Sequence, residues 1–391
     1  MQDKYVGIEK ISLYIPKYYV NIEKLARQRN VDPDKWTKGI GQEKMSIIPK
    51  NQDIVSMAAN AAINILNDED KKNIGQVIFA TESGFDFSKS ASTYLFDLLN
   101  INKFAKTYEI KQACYSATAA IQIACDYVRL RPNQKVLIVS SDIAKYGPKT
   151  GGEVTQGAGA IAILISSSPK ILRFTDKFVS LTRNEYDFWR PSYSEYPIVD
   201  GKFSTQLYID MFKESVNEFK NRYKNTLQNI DTMLFHLPFS KMGKKALISL
   251  EEDLPLLSQK WLSKYDQSTK LCRQIGNLYT GSLYLSFLSQ LIYGNLKENS
   301  EIGFFSYGSG AVCELFTGIL LKDFTSNIDI KFIEKMLENR DEIDVSEYDL
   351  NYFEKIYTEE NFIHVEEKLM EKGFNLKGIE NGKREYVLLN N

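Results

Sequence analysis

Histidine and cysteine are scarce in this sequence. Only His236 and His364 occur among the 391 residues, and the four cysteines form no CxxC pair. A metal site rich in histidine is therefore excluded, and no metal ion is predicted. Disulfide frameworks are typical of short secreted chains. The sparse cysteines, and a start without a secretory signal, therefore predict a reducing, cytoplasmic location.

Net charge and long apolar runs are also lacking. Lysine and arginine total 49 against 50 aspartate and glutamate, which leaves a formal net charge of −1. Without excess positive charge, we expect neither a nucleic-acid partner nor adhesion to an anionic membrane. No stretch approaches 18 consecutive apolar residues, so no membrane-spanning helix is predicted. The remaining composition, 43% hydrophobic and 25% charged, is that of an ordinary globular protein.

Short apolar runs rich in β-branched residues alternate with longer helical patterns. This alternation predicts an α/β fold whose strands are buried. The helical spacing of apolar residues predicts helices at 54–66, 117–130, 208–223 and 283–292. The clearest predicted strands are 77–80, 136–139, 160–165, 233–235 and 302–305.

A weak internal repeat relates the two halves of the chain. In the first half a strand ends near Glu82, and Cys114 opens a helix of small residues. In the second half a strand ends at His236, Asn277 precedes a helix, and the next strand ends in the Gly/Ser turn 306–310. Ligands of open α/β sheets bind at the carboxyl ends of strands, so these four polar side chains are predicted to meet. Coincidental αβ units are the alternative reading.

The repeat predicts two similar halves without a low-complexity linker between them. Residues 1–167 would carry the glutamate and the cysteine, and residues 168–391 the histidine and the asparagine. A charged, aromatic extension follows after about residue 320, and no chemical motif assigns it a role.

Cys114 is the strongest candidate nucleophile. The start of a helix stabilises a thiolate, so the pKa of Cys114 is predicted to lie below that of Cys125, farther along the same helix. An unpaired cysteine that fills a core is the alternative. Glu82 at a strand end is a candidate general acid/base, and His236 is either structural or functional. Neither a phosphate-binding GxxxxGK[ST] nor a GxSxG motif is present, which argues against an NTPase and an α/β-type serine hydrolase.

Several long strings resemble the thiolase superfamily, and within it the bacterial-type 3-hydroxy-3-methylglutaryl-CoA (HMG-CoA) synthases. The resemblance runs from about Gly7 to about Gly318. It rests on strings that include DIVSMAANAA, KQACYSATAAIQIA, GGEVTQGAGA, YDFWRPSYSEYPIVDG, FHLPFSKMGKKAL and IGNLYTGSLYLS. The resemblance implies a thiolase-like fold, a homodimer and a place in the mevalonate pathway of isoprenoid synthesis.

The resemblance also implies roles for individual residues. Cys114 would carry an acetyl group taken from acetyl-CoA, Glu82 would act as general acid/base, and His236 would polarise the acetoacetyl-CoA carbonyl. CoA thioesters would be substrates, with no cofactor required. The residues that match substrate-contacting positions of the family are Asp32, Thr155, Ser204, Lys245, Asn277 and Ser309.

Three alternatives stay open. The stretch 82–90 and Gln112 look like HMG-acyl-carrier-protein synthases of polyketide β-branching, which take an acceptor tethered to a carrier protein. Cys, His and Asn also form the triad of initiating ketoacyl synthases, which need no carboxylate base. A thiolase-like scaffold without catalysis is the third.

Overall fold

The computed structural model describes residues 5–224, 226–353, 362–366 and 370–390. The strands are β1 (Gly7–Tyr14), β2 (Tyr18–Asn21), β3 (Lys44–Ile47), β4 (Ile74–Ala80), β5 (Lys106–Ile110), β6 (Lys135–Ala144), β7 (Gly157–Ser166), β8 (Leu172–Thr182), β9 (Phe188–Trp189), β10 (Ile198–Val199), β11 (Ile230–Phe235), β12 (Glu301–Gly308), β13 (Val312–Leu320), β14 (Asp341–Glu342), β15 (Phe362–His364), β16 (Gly373–Glu380) and β17 (Lys383–Leu389). The helices are α1 (Ile22–Gln28), α2 (Ile54–Ile63), α3 (Asp68–Asn73), α4 (Ser92–Leu99), α5 (Ser116–Leu130), α6 (Gly201–Arg222), α7 (Met242–Ile248), α8 (Pro255–Ile275), α9 (Ser282–Tyr293), α10 (Ile330–Glu338) and α11 (Val345–Phe353).

A nine-stranded sheet forms the centre, in the order β11-β12-β13-β8-β1-β7-β6-β4-β5. In the first half β4 is parallel to β6, β6 antiparallel to β7, and β7 antiparallel to β1. In the second half β11, β12, β13 and β8 repeat the same sequence of directions. The predicted α/β fold of two similar halves is therefore confirmed. The division at residues 167 and 168 stays a prediction, because one sheet continues from β1 to β8.

Strand β4 is buried over its whole length because the hydrophobic core continues on both of its faces. Ile78 and Ala80 belong to the cluster that includes the buried residues of α5. Val77 and Phe79 point the other way, into the cluster that includes α2. Burial on both faces explains why the strand reads as a continuous apolar run rather than as an alternation.

Helices α5 and α9, which occupy corresponding places in the two halves, are joined by a buried hydrogen bond. The Thr118 hydroxyl of α5 is hydrogen-bonded to the Tyr284 hydroxyl of α9 at 2.8 Å and donates to Oγ of Ser306 in β12 at 2.8 Å. Ala117, Ala120 and Ala124 are buried along α5. The small residues that marked this helix in the sequence thus let it pack closely inside the protein.

Two predicted helix boundaries were wrong by several residues, the first because α2 ends at Ile63 rather than at residue 66. Helix α6 begins at Gly201 rather than at residue 208, because the Asp200 carboxylate accepts the Phe203 N–H at 3.1 Å and caps the first turn. This placement brings the start of α6 to the wall of the central cavity. In the described segments, no helix is both long and apolar enough to cross a membrane.

Candidate active site

A cavity of about 420 Å³ opens where the polar ends of both halves meet. His236 directly follows β11, and Cys114 lies between β5 and α5. The predicted site residues that line the cavity are Cys114, Thr155, Ser204, His236, Asn277 and Ser309. The sequence repeat therefore anticipated a real convergence of residues that are distant along the chain.

Glu82 and Cys114 form a direct pair. The Cys114 thiol donates to Oε2 of Glu82 with an Sγ to Oε2 distance of 2.8 Å. Burial raises the pKa of Glu82 to about 8, against an ordinary value of 4.5. A carboxyl with a pKa close to neutrality can both accept and return a proton, as a general acid/base must.

The helix-start argument for a lowered pKa of Cys114 was wrong for this state of the site, and its order relative to Cys125, whose pKa burial raises to about 12, stays a prediction. Burial and the neighbouring Glu82 raise the pKa of the Cys114 thiol well above its usual value. The sequence placed Cys114 near a helix start but could not show the carboxylate against its sulfur. A negative neighbour and low solvation both disfavour a thiolate, and they outweigh the helix dipole. Cys114 therefore rests as a thiol whose proton faces Glu82.

His236 is buried and held by its backbone. Its N–H donates to the Phe305 carbonyl at 2.8 Å, and its carbonyl accepts the Tyr208 hydroxyl at 2.9 Å. Burial lowers the pKa of the imidazole to about 3. Its Nδ1 has no hydrogen-bond partner within the described part of the chain. A neutral imidazole that lines the cavity can bind a carbonyl group through one ring nitrogen.

The side chain of Asn277 is fixed by three hydrogen bonds. Its Nδ2 donates to the Tyr146 hydroxyl at 3.0 Å, and its Oδ1 accepts the Tyr279 N–H at 2.8 Å and the Ser282 hydroxyl at 2.7 Å. Its own N–H donates to the carbonyl of Thr155 at 3.0 Å. Asn277 thus connects the second half of the chain to the cavity wall formed by the first.

Asp142 is a central residue that the sequence reasoning did not select. This buried carboxylate accepts from the Thr81 hydroxyl, the Glu82 N–H and the Ser83 hydroxyl at 2.8 to 2.9 Å. It also accepts from the N–H and hydroxyl of Thr280, at 3.1 and 2.5 Å. Burial raises its pKa to about 6. The sequence contained a signal for Asp142, because this residue follows the predicted apolar strand 136–139 much as Glu82 and His236 follow theirs.

Asp187 is a second buried carboxylate that the sequence reasoning did not select, and it accepts hydrogen bonds near Ser204 of the cavity wall. It accepts from the Ser204 hydroxyl at 3.0 Å, the Tyr307 hydroxyl at 2.8 Å and the Gly310 N–H at 2.9 Å. A buried carboxylate therefore orients the Ser204 hydroxyl. The string that carried the resemblance contains Asp187, but spacing alone did not mark it as buried.

Two predicted binding residues do not line the cavity. Asp32 is exposed, and its carboxylate accepts the Asp34 N–H at 3.0 Å within its own turn. Lys245 is exposed too, but its Nζ lies 5.2 Å from the ring centroid of Phe239, which lines the cavity. Lys245 is thus close to the cavity, while the role of Asp32 stays a prediction. Across residues 5–224, 226–353, 362–366 and 370–390, no three His, Cys, Asp or Glu side chains are grouped to hold a metal ion.

Comparison with known families decides the kinship of the chain. A family model described as the N-terminal part of hydroxymethylglutaryl-coenzyme A synthase matches residues 2–170, and the corresponding C-terminal model matches 177–254 and 249–388. The chain belongs to the hydroxymethylglutaryl-CoA synthase family. Its predicted thiolase-like fold is confirmed by the same kinship and by its structural neighbours.

Two relatives within this family cover nearly all of the chain. The hydroxymethylglutaryl-CoA synthase of Enterococcus faecalis is 46% identical over 356 residues, which span 90% of this chain and 93% of the relative. The crystal structure of an HMG-CoA synthase complexed with CoA superposes with a TM-score of 0.93 at 40% identity, covering 98% of this chain and 100% of the other. The bacterial type predicted within the family is thus supported.

A relative that bears a carrier-protein name is more distant. The polyketide biosynthesis 3-hydroxy-3-methylglutaryl-ACP synthase PksG of Bacillus subtilis is 28% identical over 374 residues, covering 88% of this chain and 87% of the relative. This chain is thus similar to synthases named for CoA and to one named for a carrier protein.

Proposed function

We propose that the protein condenses acetyl-CoA with acetoacetyl-CoA and water to give HMG-CoA and free CoA. The main support is the 2.8 Å contact between the Cys114 sulfur and the Glu82 carboxylate. Cys114 lines the same cavity as His236. The 46% identity to a hydroxymethylglutaryl-CoA synthase supports the same reaction.

The first step is acetylation of Cys114. Glu82 accepts the thiol proton, and the sulfur attacks the carbonyl carbon of acetyl-CoA. A new carbon–sulfur bond forms to Cys114, the bond to the CoA sulfur breaks, and the proton leaves with CoA as its thiol. A hydrogen-bonded thiol and carboxyl are the pair that this exchange requires.

The second step forms the carbon–carbon bond. Glu82, again a carboxylate, removes a proton from the methyl group of the acetyl thioester, and the resulting carbanion equivalent attacks the ketone carbon of acetoacetyl-CoA. His236 donates a hydrogen bond to that ketone oxygen, and the proton that Glu82 took from the methyl group is returned to this oxygen, which becomes the hydroxyl of the product. Being neutral, His236 can supply this bond without the cost of a buried charge.

The third step is hydrolysis. Water adds its oxygen to the thioester carbon on Cys114, the carbon–sulfur bond breaks, and the sulfur regains a proton. The released carboxylic acid is HMG-CoA, and the enzyme returns to the thiol form. In this scheme the chain supplies every acid and base, and CoA thioesters are substrates rather than cofactors.

Glu82→Gln tests the mechanism, because the amide keeps the shape of the side chain but cannot take a proton. We expect HMG-CoA formation to fall about 10²- to 10⁴-fold, the usual contribution of a general base. Radiolabelled acetyl-CoA followed by peptide mapping should still find label on Cys114, but only after a longer incubation, because the amide cannot accept the thiol proton either. Product formation near the wild-type rate would refute the mechanism. That outcome would favour a condensation that needs no such carboxylate, as in the initiating ketoacyl synthases.

The acceptor is proposed to be CoA-bound, because the carrier-protein relative PksG is 28% identical to this chain whereas the CoA-named synthase of Enterococcus faecalis is 46% identical. The test is an assay that offers acetoacetyl-CoA and acetoacetyl-carrier-protein side by side at equal concentration. We expect at least a tenfold preference for the CoA thioester in kcat/KM. A preference for the carrier protein would assign the chain to polyketide β-branching instead of the mevalonate pathway.

A homodimer is proposed through the edge strand β5. This strand ends the central sheet, so the backbone groups along its outer edge are available for pairing. Phe104 precedes it and Phe87 lies in the loop before α4, and both are strongly exposed, at 87% and 101%. Sedimentation should give twice the monomer mass, and Phe104→Asp should shift it towards the monomer.

A cytoplasmic location is proposed from the four cysteines, which are all unpaired thiols.

A further inference from the structure

A separate small core lies behind one wall of the cavity. We call it the rear cluster, and its buried members are Val20, Ile22, Leu25, Met45, Val154, Ile343, Val345 and Tyr348. Val154 stands next to Thr155, which lines the cavity, whereas Val345 and Tyr348 belong to α11, in the extension after residue 320. The C-terminal extension thus shares a core with the cavity wall.

A buried ion triad joins the same two regions. Arg29 is 6% exposed, and its Nε and Nη2 donate to the two carboxylate oxygens of Glu153 at 2.9 and 2.8 Å. Its Nη1 and Nη2 also donate to Asp349 of α11, at 3.0 and 2.5 Å. Glu153 is fully buried and accepts the Lys149 N–H at 2.9 Å. One guanidinium therefore connects α11 to the chain that forms the wall.

A second connection runs through Gln156. Its Nε2 donates to the Tyr348 hydroxyl at 3.0 Å, and its Oε1 accepts the N–H groups of Tyr146 and Gly147 at 2.8 and 3.2 Å. Tyr146 in turn accepts a hydrogen bond from Asn277 at 3.0 Å. The hydrogen bonds thus lead from α11 to a side chain that lines the cavity.

The wall depends on such anchors because its own backbone is permissive. Gly151 and Gly152 line the cavity, and Gly147 turns the chain with a positive φ. A Cβ added at Gly151 would meet no atom within 4 Å. Glycine-rich backbone loses more conformational entropy on ordering than other sequences. We therefore expect fixed contacts on the rear side to influence how well the wall is ordered.

We propose that α11, through Tyr348 and Asp349, positions the wall at residues 146–156 for binding of the acyl-CoA substrate. Tyr348 and Asp349 are positioning residues, since neither lines the cavity. The inference rests on the proposed function in one respect only, namely that a CoA thioester is what the wall contacts. It assigns a role to the extension for which the sequence offered no motif.

Tyr348→Phe tests the proposal in the full-length protein, because it removes only the hydroxyl that Gln156 contacts. Loss of one buried hydrogen bond corresponds to a factor of roughly 2 to 10. We expect amide hydrogen exchange of peptides spanning 146–156 to accelerate within that range. We expect KM for acetyl-CoA to rise by a similar factor, with kcat changed less than twofold. Asp349→Asn, which weakens the ion triad, should act in the same direction.

Leu350→Ala and Glu347→Gln are matched controls, because both residues are exposed on the same helix. They should leave both the exchange rates and KM unchanged. Exchange and KM unchanged in both Tyr348→Phe and Asp349→Asn would overturn the proposal, even if the melting temperature fell. The exchange measurement needs no turnover. Absence of condensation activity in the wild type would therefore refute the proposed function while leaving the test of the wall intact.

Discussion

The polar strand ends of the two halves of the molecule meet at one cavity, and burial shifts the pKa values of their titratable side chains in opposite directions. In the first half, Glu82 and Cys114 bond to each other, and the Glu82 pKa rises to about 8. In the second half, His236 and Asn277 bond to backbone and to neutral groups, and burial lowers the His236 pKa to about 3. A repeated fold has therefore produced one end suited to moving protons and one suited to polarising a carbonyl.

The largest effect is expected at the sulfur of the first half. Cys114→Ala removes the only side chain proposed to become covalently bound, so condensation should fall by at least about 10³-fold. Acetyl-CoA labelling of the protein should vanish. Cys125→Ala, in the following helix α5 and buried in the core, is the control and should retain labelling. Persistent label on the Cys114→Ala protein would mean that another residue carries the acetyl group.

Removing the imidazole should separate the two halves functionally. His236→Ala is expected to lower condensation about 10²- to 10³-fold, since one preorganised donor to a developing oxyanion contributes that much. Acetylation of Cys114 should proceed within a few-fold of the wild-type rate. His364→Ala, at an exposed position, should alter neither step. Equal loss of acetylation and condensation in His236→Ala would remove the distinction between the halves.

The pH profile tests the proton-moving half directly. The pKa of Glu82 is about 8, so at lower pH its carboxyl is mostly protonated and cannot accept the thiol proton. The rate constant kcat/KM for acetylation should therefore rise about tenfold per pH unit below pH 8 and level off above it. Glu82→Gln should abolish this rise. A wild-type profile that is flat between pH 6 and 8 would contradict the assignment of Glu82 as the base.

A smaller effect is expected from Arg190. Its Nη2 donates to the Glu82 carbonyl at 2.5 Å, and its positive charge lowers the pKa of the Glu82 carboxyl. Arg190→Met should therefore move the acetylation profile to higher pH by less than one unit, because Arg190 is exposed and solvent screens its charge. Arg183→Met is the control, since Arg183 pairs with Glu214. A shift to lower pH would contradict the sign of this interaction.

Much of the site could be read from the sequence, but its charge states could not. Six predicted residues line one cavity: the repeat pointed to Cys114, His236 and Asn277, and the family resemblance added Thr155, Ser204 and Ser309. Asp142 and Asp187 escaped selection because their importance lies in five and three hydrogen bonds, respectively, that form only when distant segments meet. The helix-start argument for Cys114 failed for a related reason, since it used a local dipole and lacked the neighbour.

The sequence by itself determined the α/β pattern, the repeat and the kinship, because these depend on apolar periodicity and on residue strings that a single chain displays. The tertiary structure alone decided which protons are held where. A pKa depends on solvation and on charges a few ångströms away. Those neighbours come from segments far apart in the chain, as with Glu82 against Cys114 and Tyr348 against Gln156.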